Sequence, residues 1–163
     1  MNIKIKNHLL LYKDYKLKCS VGKSGIVNKK KEGDLATPKG NFKIGMLYYR
    51  RDRVKNFKCK IKKKIIKRNM GWCDDIRSTK YNREIIFPFK YKAEKLYRKS
   101  KIYDLFINIK YNYRPALKGR GSAIFLHLAT AKYKPTKGCV AISKKNFLKI
   151  LPFIKKDTKI LIS

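Results

Sequence analysis

The chain has 163 residues, enough for one domain with its own core, and 44 Lys and Arg against 10 Asp and Glu leave a formal charge of +34. An aromatic content of 12% and apolar runs such as Ser122-Ala-Ile-Phe-Leu-His-Leu-Ala129 argue against disorder, and no run reaches the roughly 20 apolar residues of a membrane-spanning helix. No export signal is expected, because the first twelve residues carry charges where such a signal keeps an apolar stretch.

The charge alone points to a polyanion such as nucleic acid or an anionic cell envelope. Lys, Ile, Asn and Tyr are also residues of A/T-rich codons, so genome composition raises lysine on a solvated face without any partner. Four cysteines and two histidines without a C-x-x-C pair argue against a structural zinc site, and neither metal nor cofactor is expected.

In chain order, residues 2–6, 8–12 and 15–21 alternate or cluster apolar side chains around turn formers at Lys13-Asp14 and Gly22-Lys-Ser-Gly25, which predicts a β-meander. Gly33-Asp-Leu-Ala-Thr-Pro-Lys-Gly40 is dense in turn formers and reads as a loop before a strand over 41–49. Residues 52–68 are very basic. Gly71-Trp-Cys-Asp-Asp75 and Tyr81-Asn-Arg83 lack periodicity and are expected in a functional loop. Two buried strands follow over 102–110 and 123–129, separated by a polar stretch at 112–121. Ser143 can N-cap a short helix with Phe147, Leu148, Ile150 and Leu151 on one side, stopped near Pro152, and residues 158–162 close as a strand. Without an internal repeat or linker, the expectation is a single mostly-β domain over 1–163 with one or two short helices.

Two residues stand in settings suited to covalent chemistry. Cys139, in Thr136-Lys-Gly-Cys-Val-Ala-Ile142, follows a glycine that permits a tight backbone turn, so that the amides of Gly138 and Cys139 could face a developing oxyanion. Lys137 places a cation beside the thiol and favours the thiolate. His127 lies twelve positions earlier inside an apolar run, a spacing that allows adjacent strands, and could take the thiol proton while its other nitrogen donates to a backbone carbonyl. Each residue taken singly reads more readily as a core side chain, and it is their joint occurrence that points to chemistry.

Three separated blocks resemble the L,D-transpeptidase catalytic domain, the YkuD-like family. Asp34-Leu-Ala-Thr-Pro-Lys-Gly-Asn-Phe42 resembles its T-P-x-G-x-F block, Gly121-Ser-Ala-Ile-Phe-Leu-His127 its strand ending in a histidine, and Thr136-Lys-Gly-Cys-Val140 its S/T-H-G-C block. Gly71-Trp-Cys-Asp-Asp75, Tyr81-Asn-Arg83 and Gly119-Arg-Gly-Ser122 resemble a compact bacterial branch without accessory domains.

The resemblance implies a β-sandwich or barrel-like fold and a cysteine nucleophile. In that family a thiolate attacks the amide after the third residue of a peptidoglycan tetrapeptide stem, expels D-alanine and passes the acyl group to a second stem's amine. By this resemblance Cys139 is the nucleophile, His127 its base, the backbone around Gly138 the oxyanion site and the Leu128 carbonyl the orienter of the imidazole. Lys137, Arg120, Ser122, Trp72, Arg83 and Tyr111 are the candidate substrate contacts. Asp74 and Asp75 read as a solvated turn, and Thr37, Pro38 and Gly40 as turn-shaping. The chain departs from the common pattern at Lys137, where a second histidine is usual, and at Ala141, where Arg or Asn is usual.

The expected partners are peptidoglycan stems, with anionic envelope polymers as further candidates, no specific nucleic acid, and a monomeric protein. The resemblance implies the periplasm or envelope, with the cytoplasm as the alternative. The competing functions are an L,D-carboxypeptidase or other cysteine amidase and, from another class, a basic nucleic-acid-binding module, for which the charge is the sole argument.

Overall fold

The computed structural model describes residues 1–28 and 31–163. The opening meander forms as β1 (Ile3–Lys6), β2 (Leu9–Tyr12) and β3 (Tyr15–Lys18), each with alternate side chains turned to the core. The expected loop at 33–40 contains a short strand: β5 (Thr37–Pro38) pairs in parallel with β4 (Ile26–Val27). Next comes the longest strand, β6 (Gly40–Tyr49), whose second half pairs with β7 (Lys63–Ile65).

The segment expected as a functional loop is instead a small antiparallel sheet in which β8 (Met70–Cys73) lies between β9 (Glu84–Ile86) and β10 (Ala93–Lys95). All four residues of β8 are buried, so its side chains show no alternation along the sequence. The strand expected over 102–110 is split. Lys101–Tyr103 form a 3₁₀ turn, and β11 occupies only Leu105–Ile109, followed by β12 (Phe125–Leu128) and β13 (Val140–Ile142).

Helix α1 (Lys144–Ile150) begins as expected, the Ser143 hydroxyl accepting from the Asn146 amide. It runs into a 3₁₀ turn, Leu151–Phe153, that carries Pro152. Strand β14 (Lys159–Ile162) ends the chain.

The main sheet has the order β13-β12-β11-β6-β14-β1-β2-β3, with β7 added to β6. Its ends meet where Ser20, just past β3, bridges Ala141 of β13: the Ser20 amide donates to the Ala141 carbonyl at 2.8 Å and the return bond is 2.9 Å. The result is a nearly closed barrel with few strand edges left bare.

A first core of aliphatic side chains, with Phe147 and Ile150 from α1, fills its interior. A second core between the barrel wall and the small sheet is aromatic. Trp72, Tyr103, Phe106 and Phe125 pack there with centroids 4.5 to 5.4 Å apart along the chain Tyr103–Phe106–Phe125–Trp72, and Cys139 joins this cluster. Among the described residues no helix is long and apolar enough to cross a membrane.

Candidate active site

Strands β12 and β13 run parallel with His127 opposite Ala141 and Leu126 opposite Val140. Side chains alternate along a strand, so Cys139, Ala141 and His127 share one face. That face opens into a cleft of about 960 Å³, lined by Cys139, His127, Ser122, Lys137, Glu94 and Arg98 among others.

The Cys139 thiol sits beside the start of β12. Its Sγ donates to the Ala123 carbonyl oxygen at 3.2 Å and accepts from the Phe125 amide at 3.3 Å. The preceding segment is tied down by two hydroxyls. Thr136 Oγ1 donates to the Cys139 carbonyl oxygen (2.7 Å) and accepts from the Gly138 amide (3.1 Å), while Thr37 Oγ1 donates to the same carbonyl (3.3 Å) and accepts from the Gly22 amide (2.7 Å).

Gly138 has φ +131, a conformation that L side chains rarely adopt. Its amide corrects one expectation: rather than standing open toward an oxyanion, it is engaged by Thr136. Thr37 is fully buried and does more than shape a turn, since it couples the loop after β3 to the cysteine segment.

His127 is 6% exposed, and its Nδ1 lies 2.9 Å from the Leu128 carbonyl oxygen. A carbonyl can only accept, so Nδ1 carries the proton and Nε2 of the neutral ring is the acceptor. Burial pushes the imidazole down to about 4; the Leu128 bond opposes this and the Arg98 cation adds to it. The ring meets Tyr103 edge-on at 5.5 Å.

Behind Tyr103 stands a group not singled out in the sequence. Glu94 Oε1 accepts from the Tyr103 hydroxyl (2.8 Å) and from Arg98 Nη1 (2.9 Å). Burial raises the Glu94 carboxyl above its ordinary range, against the pull of Tyr103 and Arg98, with Lys137 acting in the same sense as Arg98. Asp74, expected in a solvated turn, lines the same cleft with Oδ2 3.4 Å from Lys92 Nζ. Asp75 is structural, its two oxygens holding Arg77 and the Lys92 amide.

The fold therefore brings together Cys139, Gly138, His127, Lys137 and Ser122. Trp72 is instead 3% exposed in the aromatic core, Arg83 lines a different groove, Tyr111 packs edge-on against Phe42, and Arg120 offers its carbonyl to the Tyr111 hydroxyl away from the cleft.

What links the Trp72 and Tyr81-Asn-Arg83 motifs to the site is Asn82, a buried hub. Its Oδ1 accepts from Trp72 Nε1 (2.9 Å) and from the Ala123 amide (3.0 Å), and its Nδ2 donates to the carbonyls of Tyr111 (3.1 Å) and Asn112 (2.7 Å). The carbonyl of Ala123 in turn accepts from the Cys139 thiol. The sequence signal for Asn82 was its place between Tyr81 and Arg83.

By contrast, burial pushes the Cys19 thiol up to about 12, which leaves it inert in the core. Among the described residues no group of three or more His, Cys, Asp or Glu could hold a metal ion.

A thiol and a neutral, tautomer-fixed imidazole on one face of a barrel wall form an arrangement suited to acyl transfer through a thioester. The model of the L,D-transpeptidase catalytic domain, YkuD, matches residues 3–162, and the chain belongs to that family. No curated protein and no solved structure matches the chain. The family consists in general of enzymes that act on peptidoglycan stem peptides, and its mostly-β architecture agrees with the barrel and the one short α-helix found among the described residues.

Proposed function

We propose that this chain is a cysteine-dependent L,D-transpeptidase, acting as one catalytic domain on peptidoglycan stems in the cell envelope. The observation that carries the reading is the parallel β12–β13 pairing, which puts Cys139 and His127 on one face, with Leu128 leaving Nε2 as the basic nitrogen.

The Cys139 thiol gives its proton to His127 Nε2 and the thiolate adds to the carbonyl of the donor stem. The oxyanion forms near the Lys137–Cys139 backbone, where the Gly138 amide exchanges its bond to Thr136 for one to the substrate oxygen. Collapse breaks the C–N bond, the imidazolium protonates the departing D-alanine amine, and a thioester remains on Cys139. The acceptor stem's neutral amine then adds to the thioester and gives up a proton to Nε2. The C–S bond breaks as the amide forms, and Cys139 recovers its proton. Arg98 and Lys137 are the cleft cations suited to a stem carboxylate, and Ser122 a polar contact.

Incubation of the purified protein with a disaccharide-tetrapeptide, beside Cys139→Ala, tests this by mass spectrometry. Release of D-alanine with dimer formation and an acyl adduct on Cys139, all absent from the variant, is the expected result. Tripeptide without dimers assigns an L,D-carboxypeptidase, and no adduct and no turnover overturn the peptidoglycan reading.

A further inference from the structure

A second cavity, about 1240 Å³ and so larger than the cleft that holds Cys139, opens elsewhere on the molecule. It lies on the other side of a shared wall: Trp72 lines it, the Trp72 ring meets Phe125 at 5.1 Å, and the Phe125 amide donates to Cys139 Sγ. Nine Lys and Arg line this groove against two acids, Glu84 and Asp157.

Glu84 does not neutralise them. Its oxygens are taken by Lys64, outside the groove, at 2.6 Å and by the Tyr48 hydroxyl at 2.9 Å. Among the described residues none of the nine cations forms an ion pair.

The arrangement of three of them is specific. Lys159 of β14 is the register partner of Lys43 in β6, and the Lys110 amide, just past β11, donates to the Lys43 carbonyl at 2.9 Å. Three lysines thus stand side by side across three adjacent strands, a row spanning about 10 Å at ordinary strand spacing. Like charges directly opposite each other in a sheet are destabilising, and a concave surface concentrates their field. A bound chain of closely repeated negative charges removes that repulsion and releases its own counterions.

We propose that this groove is a second binding site, for a linear phosphate polyanion of the polyphosphate or phosphodiester type held through its backbone. Bases play no part, because the groove offers no open aromatic face: Trp72 and Tyr48 are 3% and 4% exposed, and the Tyr113 ring is occupied by Lys110 and Arg114 at 5.4 and 5.2 Å. Lysine ammoniums act as point charges without the bidentate fork of arginine, which suits a flexible chain rather than one fixed headgroup.

The test compares a groove variant, Lys43→Gln/Lys110→Gln/Lys159→Gln, with a charge-matched variant on β1 and β3 outside the groove, Lys4→Gln/Lys6→Gln/Lys16→Gln. Binding of fluorescently labelled long-chain polyphosphate is followed by anisotropy over a salt series. The groove variant is expected to weaken binding about tenfold and to flatten the log–log salt dependence by about 2, at roughly 0.7 for each phosphate of a single chain that is no longer neutralised. The matched variant stays within about twofold of wild type.

Without ligand the groove variant also melts higher than wild type, a rise that a folding defect cannot produce. Cys139→Ala binds as wild type does, so the result is independent of the acyl-transfer reading. Equal losses in both triple variants overturn the proposal in favour of diffuse net charge. Oligothymidylate binding tighter than a base-free (abasic) phosphodiester chain of equal length overturns it in favour of a nucleic-acid site.

Discussion

The Nδ1 of His127 lies 2.9 Å from the carbonyl oxygen of Leu128, its own neighbour on β12. One backbone acceptor thereby fixes the tautomer of a buried ring without a carboxylate, so the imidazole is neutral at rest and its free nitrogen is a base. Burial, aided by Arg98, holds it there by lowering its pKa to about 4.

The acid limb of kcat/KM is therefore expected near pH 4 rather than near 6.5, measured as tetrapeptide turnover against pH. Arg98→Gln moves the limb upward, because one cation that opposes imidazolium formation is gone. Turnover that falls off at pH 6.5 in the wild type would show that His127 is not the buried neutral base described here.

Stability carries the same signature with a definite sign. The unfolded chain binds a proton at His127 below about 6.5 and the folded one only below about 4, so stability at this site is complete above pH 6.5 and is lost as pH falls toward 4. His127→Gln should flatten the dependence of the unfolding midpoint on pH in that window. An unchanged slope in the variant would assign the dependence to other groups.

Asn82 is satisfied at both its oxygen and its nitrogen, and it supports the residue whose carbonyl faces the thiol. Asn82→Leu strands the Trp72 indole, the Ala123 amide and two carbonyls, each costing about 1–3 kcal/mol if left buried without a partner. Denaturant unfolding should show a loss of several kcal/mol, and iodoacetamide should label Cys139 at an altered rate as Ala123 shifts. A drop under about 1 kcal/mol would mean that water replaces the side chain.

Thr136 and Thr37 meet on one carbonyl, that of Cys139. Thr136→Val removes the stronger of these two bonds and should lower kcat at least about tenfold with a KM change of less than about threefold, since it loosens the cysteine segment rather than the distal cleft. Thr37→Val also loses the bond to Gly22 and should cost about 1–3 kcal/mol of stability. Steady-state kinetics and thermal melts of the two variants separate these effects.

Tyr103 touches His127 with its ring and Glu94 with its hydroxyl. Tyr103→Phe keeps the ring and should retain most activity, whereas Tyr103→Ala removes the support and should reduce kcat much further. Equal losses in both would place the importance in the hydroxyl and Glu94.

The sequence by itself determined the strands whose side chains alternate, as in Ile3–Lys6, and the cap of α1 at Ser143, because both follow from local periodicity and short-range hydrogen bonding. It also carried the three blocks that hold Thr37, His127 and Cys139. It misread Met70–Cys73, where a strand buried on both faces shows no alternation, and the start of β11, where a 3₁₀ turn places Tyr103 against His127.

What only the tertiary structure decided is which side chains share a cleft. Cys139 and His127 share a face through the register of two parallel strands, Glu94 and Arg98 arrive from β10 of the small sheet and the residues just past it, and Trp72, Arg83, Tyr111 and Arg120 are turned elsewhere. Long-range pairing sets each of these positions, and a one-residue slip in any strand would send its side chains to the opposite face.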